Sequence, residues 1–136
     1  MTEPTLYIIM RRDIPDMNPG KGMAQAAHAQ AEFWGSIEAT CGPEYSQDDP
    51  LWNDVNYWCG DRTFGRTLVV YAPLDEIYRI VNKSYCGGIV IDPTYPWKNY
   101  QGEMCVSEEI TCAWIFIGSE PNKEDVLEAS SLPLVE

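Results

Sequence analysis

The stretch TLYIIMRRDIPDMNPGKGMAQAAHAQAEFWGSI, residues 5–37, decides the fold because it joins a buried strand to a long helix. Its first residues are apolar at consecutive positions, which predicts a strand near 5–11 that is covered on both faces. The segment that follows is rich in Pro, Asp and Asn, and such residues favour a loop. A helix should then begin within Gly20–Gly22 and run to about Ile37. A strand that leads through a loop into a helix is typical of α/β proteins.

The rest of the chain continues this alternation. Apolar runs predict three further strands, near 66–72, 88–92 and 110–118. An amphipathic helix should begin at Leu74, and the acidic C-terminal segment predicts a short final helix. Strands separated by helices place helices on both faces of a sheet. The sequence therefore predicts an α/β fold, a three-layer α/β/α sandwich with a four-stranded mixed β-sheet.

Two stretches, 42–65 and 93–109, are rich in aromatic residues and show no clear period. Both are predicted as long loops, although Pro50 suits the first turn of a short helix. Their tryptophans and tyrosines have two open interpretations: they stack on nucleic-acid bases, or they cover the core or a dimer contact. No linker divides the chain, so we expect a single domain over residues 1–136.

Composition and cysteine content restrict the class of protein. The hydrophobic fraction is 45%, and no run approaches the roughly 18 to 20 apolar residues that span a bilayer. The apolar run at residues 6–10 is too short for the core of a signal peptide. The five cysteines are an odd number without Cys-x-x-Cys spacing. We therefore expect reduced thiols in the cytoplasm, no membrane association and no metal site.

The charge restricts the kind of partner. A net charge of −12 argues against a protein that coats nucleic acid with a broad basic surface. Residues 1–35 hold three Lys and Arg against four Asp and Glu, a balance of −1, so the remaining chain carries −11. This distribution permits a small phosphate-binding site near the N-terminus and excludes a large one.

Four polar side chains form one stripe along the first predicted helix. Lys21, Gln25, His28 and Glu32 are separated by four, three and four residues, which is the spacing of one helical face. One interpretation of such a stripe is simply the solvated face of a helix that packs on a sheet. Two observations favour a site instead. Pockets in such folds lie at the carboxyl ends of strands, and a Gly-Lys-Gly helix start leaves backbone N–H groups for an anion.

The segment MNPGKGMAQAAHA, residues 17–29, resembles the signature of the archaeal and eukaryotic type of peptidyl-tRNA hydrolase, the type 2 family. Upstream, IIMRRD resembles the family's Val-Val-Arg-x-Asp. Downstream, YWCGDRTFGRTLVVYAPLDEI and CAWIFIGSEP resemble its later strands, so the resemblance spans nearly the whole chain in the right order. The residues that match the signature are Met17, Gly20, Lys21, Ala24, Gln25, His28 and Ala29.

The resemblance implies hydrolysis of the ester that joins a peptidyl group to the 3′ ribose of tRNA, without a metal or cofactor. We expect Lys21 to hold a phosphate or the oxyanion, Gln25 to position a carbonyl or water, and His28 to relay a proton or orient its neighbours. Asp92 is the best candidate for a base or for holding an amine. The expected partners are the acceptor end of tRNA and a second copy of the chain, because the family tends to form homodimers. Further substrate contacts are assigned to Arg11, Arg12, Gly20, Gly22 and Lys98.

The chain departs from the family after the third predicted strand. The family has Asp-Ala-Gly-Arg-Thr there, whereas this chain keeps the acid, Asp92, places Thr94 at a different offset and has no arginine in the following loop. Lys98 is the available substitute, although Lys and Arg are not interchangeable on phosphate. Two functions remain open: an active peptidyl-tRNA hydrolase, or a catalytically lapsed or retargeted member of the fold that binds a nucleotide, a tRNA end or a protein partner.

Overall fold

The structure, a computed structural model, describes residues 3–15, 17–41, 50–60, 65–118 and 132. The predicted C-terminal helix lies outside these residues. Within them, no helix combines the length and the apolar character needed to cross a membrane. The helices and strands, in chain order, are β1 (Thr5–Met10), α1 (Pro19–Cys41), α2 (Pro50–Cys59), β2 (Thr67–Tyr71), α3 (Leu74–Lys83), β3 (Gly87–Lys98) and β4 (Met104–Ile117).

Four strands form one mixed sheet in the order β2-β1-β4-β3. β1 is parallel to β2 and antiparallel to β4, and β3 pairs with β4 as an antiparallel hairpin. These features confirm the predicted α/β fold with a four-stranded mixed sheet. The finer description as a three-layer sandwich stays a prediction.

Every residue of β1 is buried, and its alternate side chains belong to two hydrophobic clusters. Leu6 packs with residues of α1 and α2, among them Phe33 and Trp58. Tyr7 packs with residues of α3, among them Ile77. Because successive side chains of a strand point to opposite faces, the two clusters lie on opposite sides of β1. This explains why the strand is apolar at every position.

Helix α1 begins with a side-chain cap followed by a proline. Asn18 Oδ1 accepts a hydrogen bond from the backbone N–H of Lys21 at 2.9 Å, and Pro19 occupies the first helical position, where a missing N–H costs nothing. The carbonyl oxygen of Asn18 accepts the N–H of Gly22 at 2.8 Å. The expectation that the Gly-Lys-Gly start leaves its backbone donors free is therefore wrong for two of its three residues.

The stretch 93–109 is not the predicted loop, because β3 and β4 continue through it as a long hairpin. Pro93 and Pro96 argue against a strand in the sequence, but β3 lies at the edge of the sheet, where proline removes no necessary ladder bond. The turn is closed by Asn99, whose side-chain oxygen accepts two backbone N–H bonds at 2.9 Å each. Gly102 has a φ of +80°, which favours glycine.

The aromatic residues of the predicted loops divide between core and surface. Trp58 and Tyr95 are buried at 6% and 0% exposure, so they have the covering role and are not available to stack on bases. Tyr57 and Tyr100 are exposed. The short helix expected at Pro50 is present as α2, and the remainder of 42–65 lies partly outside the described residues.

Candidate functional site

The side chain of Gln25 is the centre of a buried polar group between α1 and the β3–β4 hairpin. Gln25 is 3% exposed, and its Nε2 donates a hydrogen bond to Asp92 Oδ2 at 2.7 Å. Its Oε1 accepts a hydrogen bond from the hydroxyl of Thr111 at 2.6 Å. An ionised carboxylate only accepts hydrogen bonds, so Asp92 requires the NH₂ end of the amide and leaves the oxygen for Thr111. Thr111 and Asp92 together fix the orientation of the amide.

Thr111 reaches Gln25 because β4 contains a bulge at this position. Val90 pairs with Cys112 and Ile91 pairs with Ile110, so Thr111 has no partner of its own in β3. An extra residue in one strand bends it locally and redirects a side chain. Thr111, fully buried, is thereby turned toward α1 instead of continuing the alternation of the strand.

A second irregularity follows in β3, directly after Asp92. Asp92 pairs with Glu109 and Tyr95 pairs with Ser107, so β3 has one more residue than β4 in this interval. The extra length allows the chain to turn back on the carboxylate: the backbone N–H of Thr94 donates to Asp92 Oδ1 at 2.8 Å. The hydroxyl of Thr94 is 3.4 Å from the same oxygen. Bulges of this kind are frequent next to functional sites.

The carboxyl of Asp92 is held in its ionised form. Burial raises its pKa, but hydrogen bonds from Gln25 and Thr94 and the nearby charge of His28 outweigh burial, so the pKa lies below the ordinary value of 3.8. Asp92 therefore acts at neutral pH as a fixed negative charge and a hydrogen-bond acceptor. A carboxylate with a lowered pKa is a weaker base than an ordinary one, which favours its role in holding a donor group.

His28 and Glu32 continue the stripe of α1 along the same cluster. Burial raises the pKa of Glu32, and the charge of His28 opposes that rise. The same histidine lowers the pKa of Asp92, so His28 lies within electrostatic reach of both carboxyl groups. Both His28 and Glu32 are exposed at the surface of α1, while Gln25 is buried between them and the sheet.

Lys21 lies one turn before Gln25, above the ring of Tyr95. The distance from Lys21 Nζ to the ring centroid is 5.5 Å, within the range of a cation–π interaction. Tyr95 is itself fixed, because its hydroxyl donates to the carbonyl oxygen of Pro15 at 2.7 Å. Since Tyr95 follows Asp92 by three residues in β3, the ammonium and the carboxylate are both held where α1 crosses this strand.

Arg11 and Arg12 have different environments. Arg11 is buried, and its Nε and Nη2 donate to the two carboxylate oxygens of Asp13 at 2.9 and 3.1 Å. Its Nη1 donates to the carbonyl oxygen of Ile110 at 2.9 Å. These contacts give Arg11 a structural role, and the expected substrate contact stays a prediction. Arg12 is exposed, and its guanidinium carbon lies 4.0 Å from the centroid of the Tyr71 ring.

The other expected substrate contacts differ in position. Gly20 and Gly22 lie in the first turn of α1, beside Lys21. Lys98 ends β3, six residues beyond Asp92. Their partners in β4, Glu109 and Met104, are five residues apart, which at about 3.3 Å per residue separates Asp92 from Lys98 by roughly 16 Å. Lys98 therefore lies far from Asp92, the carboxylate near which it is expected to substitute for the arginine of the resembled family.

The described residues of this cluster do not favour catalysis by a thiol or by a metal ion. Cys112 Sγ donates to the carbonyl oxygen of Gln25 at 3.5 Å, and burial raises the pKa of this thiol to about 12. Such a thiol is protonated at neutral pH and is a poor nucleophile. Among the described residues, no group of three or more His, Cys, Asp or Glu could hold a metal ion.

The sequence alone does not mark Thr111 or Tyr95 as members of the cluster. Tyr95 is one of several aromatic residues in a predicted loop. Thr111 stands inside an apolar strand, where a threonine is common, and its direction depends on a bulge that has no signal in a single sequence.

No protein-family model matches this chain, and no curated protein matches it significantly.

Proposed function

We propose that the protein hydrolyses the ester bond of peptidyl-tRNA or of an N-blocked aminoacyl-tRNA. The observation that carries the proposal is the fixed, ionised carboxylate of Asp92, held by Gln25 on the face of α1 that also bears Lys21. Ester hydrolysis needs a positioned water and a stabilised oxyanion. A held carboxylate, and an ammonium one helical turn from the amide that holds it, are suited to these two tasks.

In this mechanism the roles differ from one residue to the next. Lys21 stabilises the oxyanion or a neighbouring phosphate, and Asp92 accepts a hydrogen bond from the attacking water or from the amide N–H of the blocked aminoacyl group. Gln25 is a positioning residue, because burial leaves it in contact with Asp92 and Thr111. His28 tunes the carboxylates or relays a proton at the surface. We further propose a cytoplasmic homodimer that contacts the acceptor end of tRNA.

A second candidate is a lapsed member of the fold that uses the same cluster for binding alone. It is favoured by the composition of the segment after Asp92. The single basic residue of that segment, Lys98, lies at the far end of the hairpin. A developing negative charge would then depend on Lys21 for a cation. The two candidates are separated by measuring turnover.

The decisive experiment incubates the purified protein with an N-blocked aminoacyl-tRNA and measures release of the blocked amino acid. Lys21→Ala should slow release by roughly 30- to 1,000-fold, because a charge-assisted contact to a transition state contributes on the order of 2 to 4 kcal/mol. Gln25→Ala should slow it less, because Gln25 acts through Asp92. Lys83→Ala, in the last turn of α3, is the matched control and should leave the rate unchanged. Circular dichroism should first show that the protein is folded. If folded protein then releases no more blocked amino acid than spontaneous hydrolysis does, the hydrolase proposal is wrong and the binding function replaces it.

A further inference from the structure

A second cleft lies beyond the carboxyl ends of β1 and β2, where β2 leads into α3. Its volume is about 360 Å³, which is within the range of small-molecule sites. The cleft is separate from the Gln25 cluster: Tyr71 pairs with Met10, Met10 with Cys112, and Cys112 with Val90. Three strand spacings of about 4.8 Å therefore put the two sites roughly 14 Å apart along one end of the sheet. Residues that line the cleft are Arg12, Asp13, Tyr71, Ala72, Pro73, Glu76 and Leu132.

The cleft contains a planar cation that is already positioned. The guanidinium carbon of Arg12 lies 4.0 Å from the centroid of the Tyr71 ring. Contact with the ring restricts the motion of an otherwise exposed side chain. Because a guanidinium is planar and Arg12 is exposed, its outer face is available for a second flat group to stack on it.

The acidic residues of the cleft are not equivalent. Asp13 is occupied, since Arg11 donates to both its oxygens and the backbone N–H of Leu74 lowers its pKa further. Glu76 is half-buried in the first turn of α3, and its contact with Arg79 is long, at 3.9 Å. Glu76 is thus the carboxylate best able to accept hydrogen bonds from a ligand in the cleft. It also disfavours a phosphate group at this position.

A flat cation and a carboxylate acceptor, with Ala72 and Pro73 as apolar walls, match a neutral heterocycle that carries an amino group. Arginine planes stack on nucleobases, and carboxylates accept hydrogen bonds from the exocyclic amine of cytosine. We propose that this cleft binds a nucleobase with an exocyclic amino group, which stacks on Arg12 and donates to Glu76. That this base belongs to the acceptor end of tRNA rests on the proposed hydrolase function.

The test is an NMR titration of the full chain with cytidine, adenosine and uridine. Cytidine and adenosine should bind, and uridine, which lacks the exocyclic amine, should bind at least about threefold more weakly. Arg12→Lys keeps the charge but removes the plane, so it should weaken all three nucleosides about fivefold or more. Glu76→Ala should remove the preference for cytidine over uridine. Asp75→Ala, the neighbouring acid in the same turn, is the matched control and should retain that preference.

Three outcomes would overturn the proposal: no binding of any nucleoside at millimolar concentration, equal affinity for cytidine and uridine, or binding of free leucine instead of nucleosides. The last outcome would identify a site for a zwitterion between Arg12 and Glu76. Asp92→Asn separates this proposal from the hydrolase proposal, because the variant should lose ester hydrolysis and bind cytidine as the unaltered protein does. Nucleoside binding without any hydrolysis would support the cleft and refute the enzyme.

Discussion

At the scale of single residues, the orientation of one buried amide controls the candidate site. Thr111→Val keeps the shape of the side chain but leaves Gln25 Oε1 without its donor. An unsatisfied buried acceptor costs about 1 to 3 kcal/mol, so urea unfolding should show a loss of that size. Ester hydrolysis should also fall, and Thr111→Ser, which keeps the hydroxyl, should restore most of both. A Val variant as stable and active as the unaltered protein would remove Thr111 from the cluster.

The thiol of Cys112 should be unreactive in the folded protein. Its pKa of about 12 means that almost no thiolate exists at pH 8, and its side chain is fully buried. Iodoacetamide at pH 8 should therefore leave Cys112 unmodified until guanidinium chloride unfolds the chain. Peptide mass spectrometry before and after denaturation makes the measurement. Rapid labelling of Cys112 under native conditions would show that the contact with Gln25 opens frequently.

Two carboxyl groups should determine the acid limit of stability. Hydrogen bonds from Arg11 lower the pKa of Asp13, and those from Gln25 and Thr94 overcome burial to lower that of Asp92. A group whose pKa is lowered by folding stabilises the native state above its ordinary pKa and loses that contribution as the pH falls through the folded value. The unfolding free energy should therefore decline below about pH 4.

Asp13→Asn gives the matched measurement for this pH dependence. At pH 7 the variant should unfold at a lower denaturant concentration than the unaltered protein. The two should converge as the pH falls through the folded pKa of Asp13, which lies below the ordinary value of 3.8, because Asp13 is then protonated in both native and unfolded states. A difference that does not shrink as the pH is lowered through this range would show that the carboxylate charge is not what stabilises this contact.

At the scale of elements, the first turn of α1 contains a glycine that the free protein does not need for space. A Cβ at Gly22 would meet nothing within 4 Å outside its own turn, and the backbone there is helical. Gly22→Ala should therefore raise the unfolding free energy by up to about 0.5 to 1 kcal/mol in thermal or urea unfolding.

The same substitution tests the expected substrate contact at Gly22. If the substrate approaches the backbone of this turn closely, Gly22→Ala should be more stable and slower in ester hydrolysis. A variant that is more stable and fully active would place the substrate away from this turn. Gly35→Ala is the matched control, since its Cβ also meets open space but lies later in α1.

The elements that follow from local sequence signals were predicted well, and the hairpin was not. β1 follows from an apolar run, and α1 begins at Pro19, close to the predicted start within Gly20–Gly22, because both depend on signals within a few neighbouring residues. The extension of β3 through Pro93 and Pro96 depends on its place at the edge of the sheet, and strand order is a property of distant segments. Proline in a strand is misleading until that order is known.

The candidate site likewise has residues that the sequence predicts and contacts that it does not. Lys21, Gln25 and His28 share one helical face by their spacing, whereas Asp92 is assigned only through the family resemblance. That Gln25 is buried and holds Asp92, rather than facing a substrate, follows from two bulges whose register no single sequence specifies. Spacing therefore identified which side chains share a face of α1, but not which of them the sheet would cover.

At the scale of the whole molecule, the net charge of −12 limits how RNA can bind. If contacts are confined to the acceptor end and involve one or two phosphates, the binding constant should depend weakly on salt. A plot of its logarithm against the logarithm of the salt concentration should have a slope of only about −0.7 to −1.4. An acceptor-stem minihelix and full-length tRNA should then inhibit hydrolysis with similar affinity across a salt series. A steep slope, or a large advantage for full-length tRNA, would require a basic surface that this composition does not provide.

The pairing of β1 with β4 has a consequence for how the chain is made. Thr5 is opposite Ile117, so the central pair of the sheet joins positions separated by almost the entire chain. Contacts of such long sequence separation form late and slow folding, because the intervening loop must be closed before they contribute. During synthesis β1 emerges before β4, so one of its edges lacks a partner until β4 has been made. An N-terminal fragment ending before β4 would carry this exposed apolar edge permanently, and it should associate with itself instead of folding.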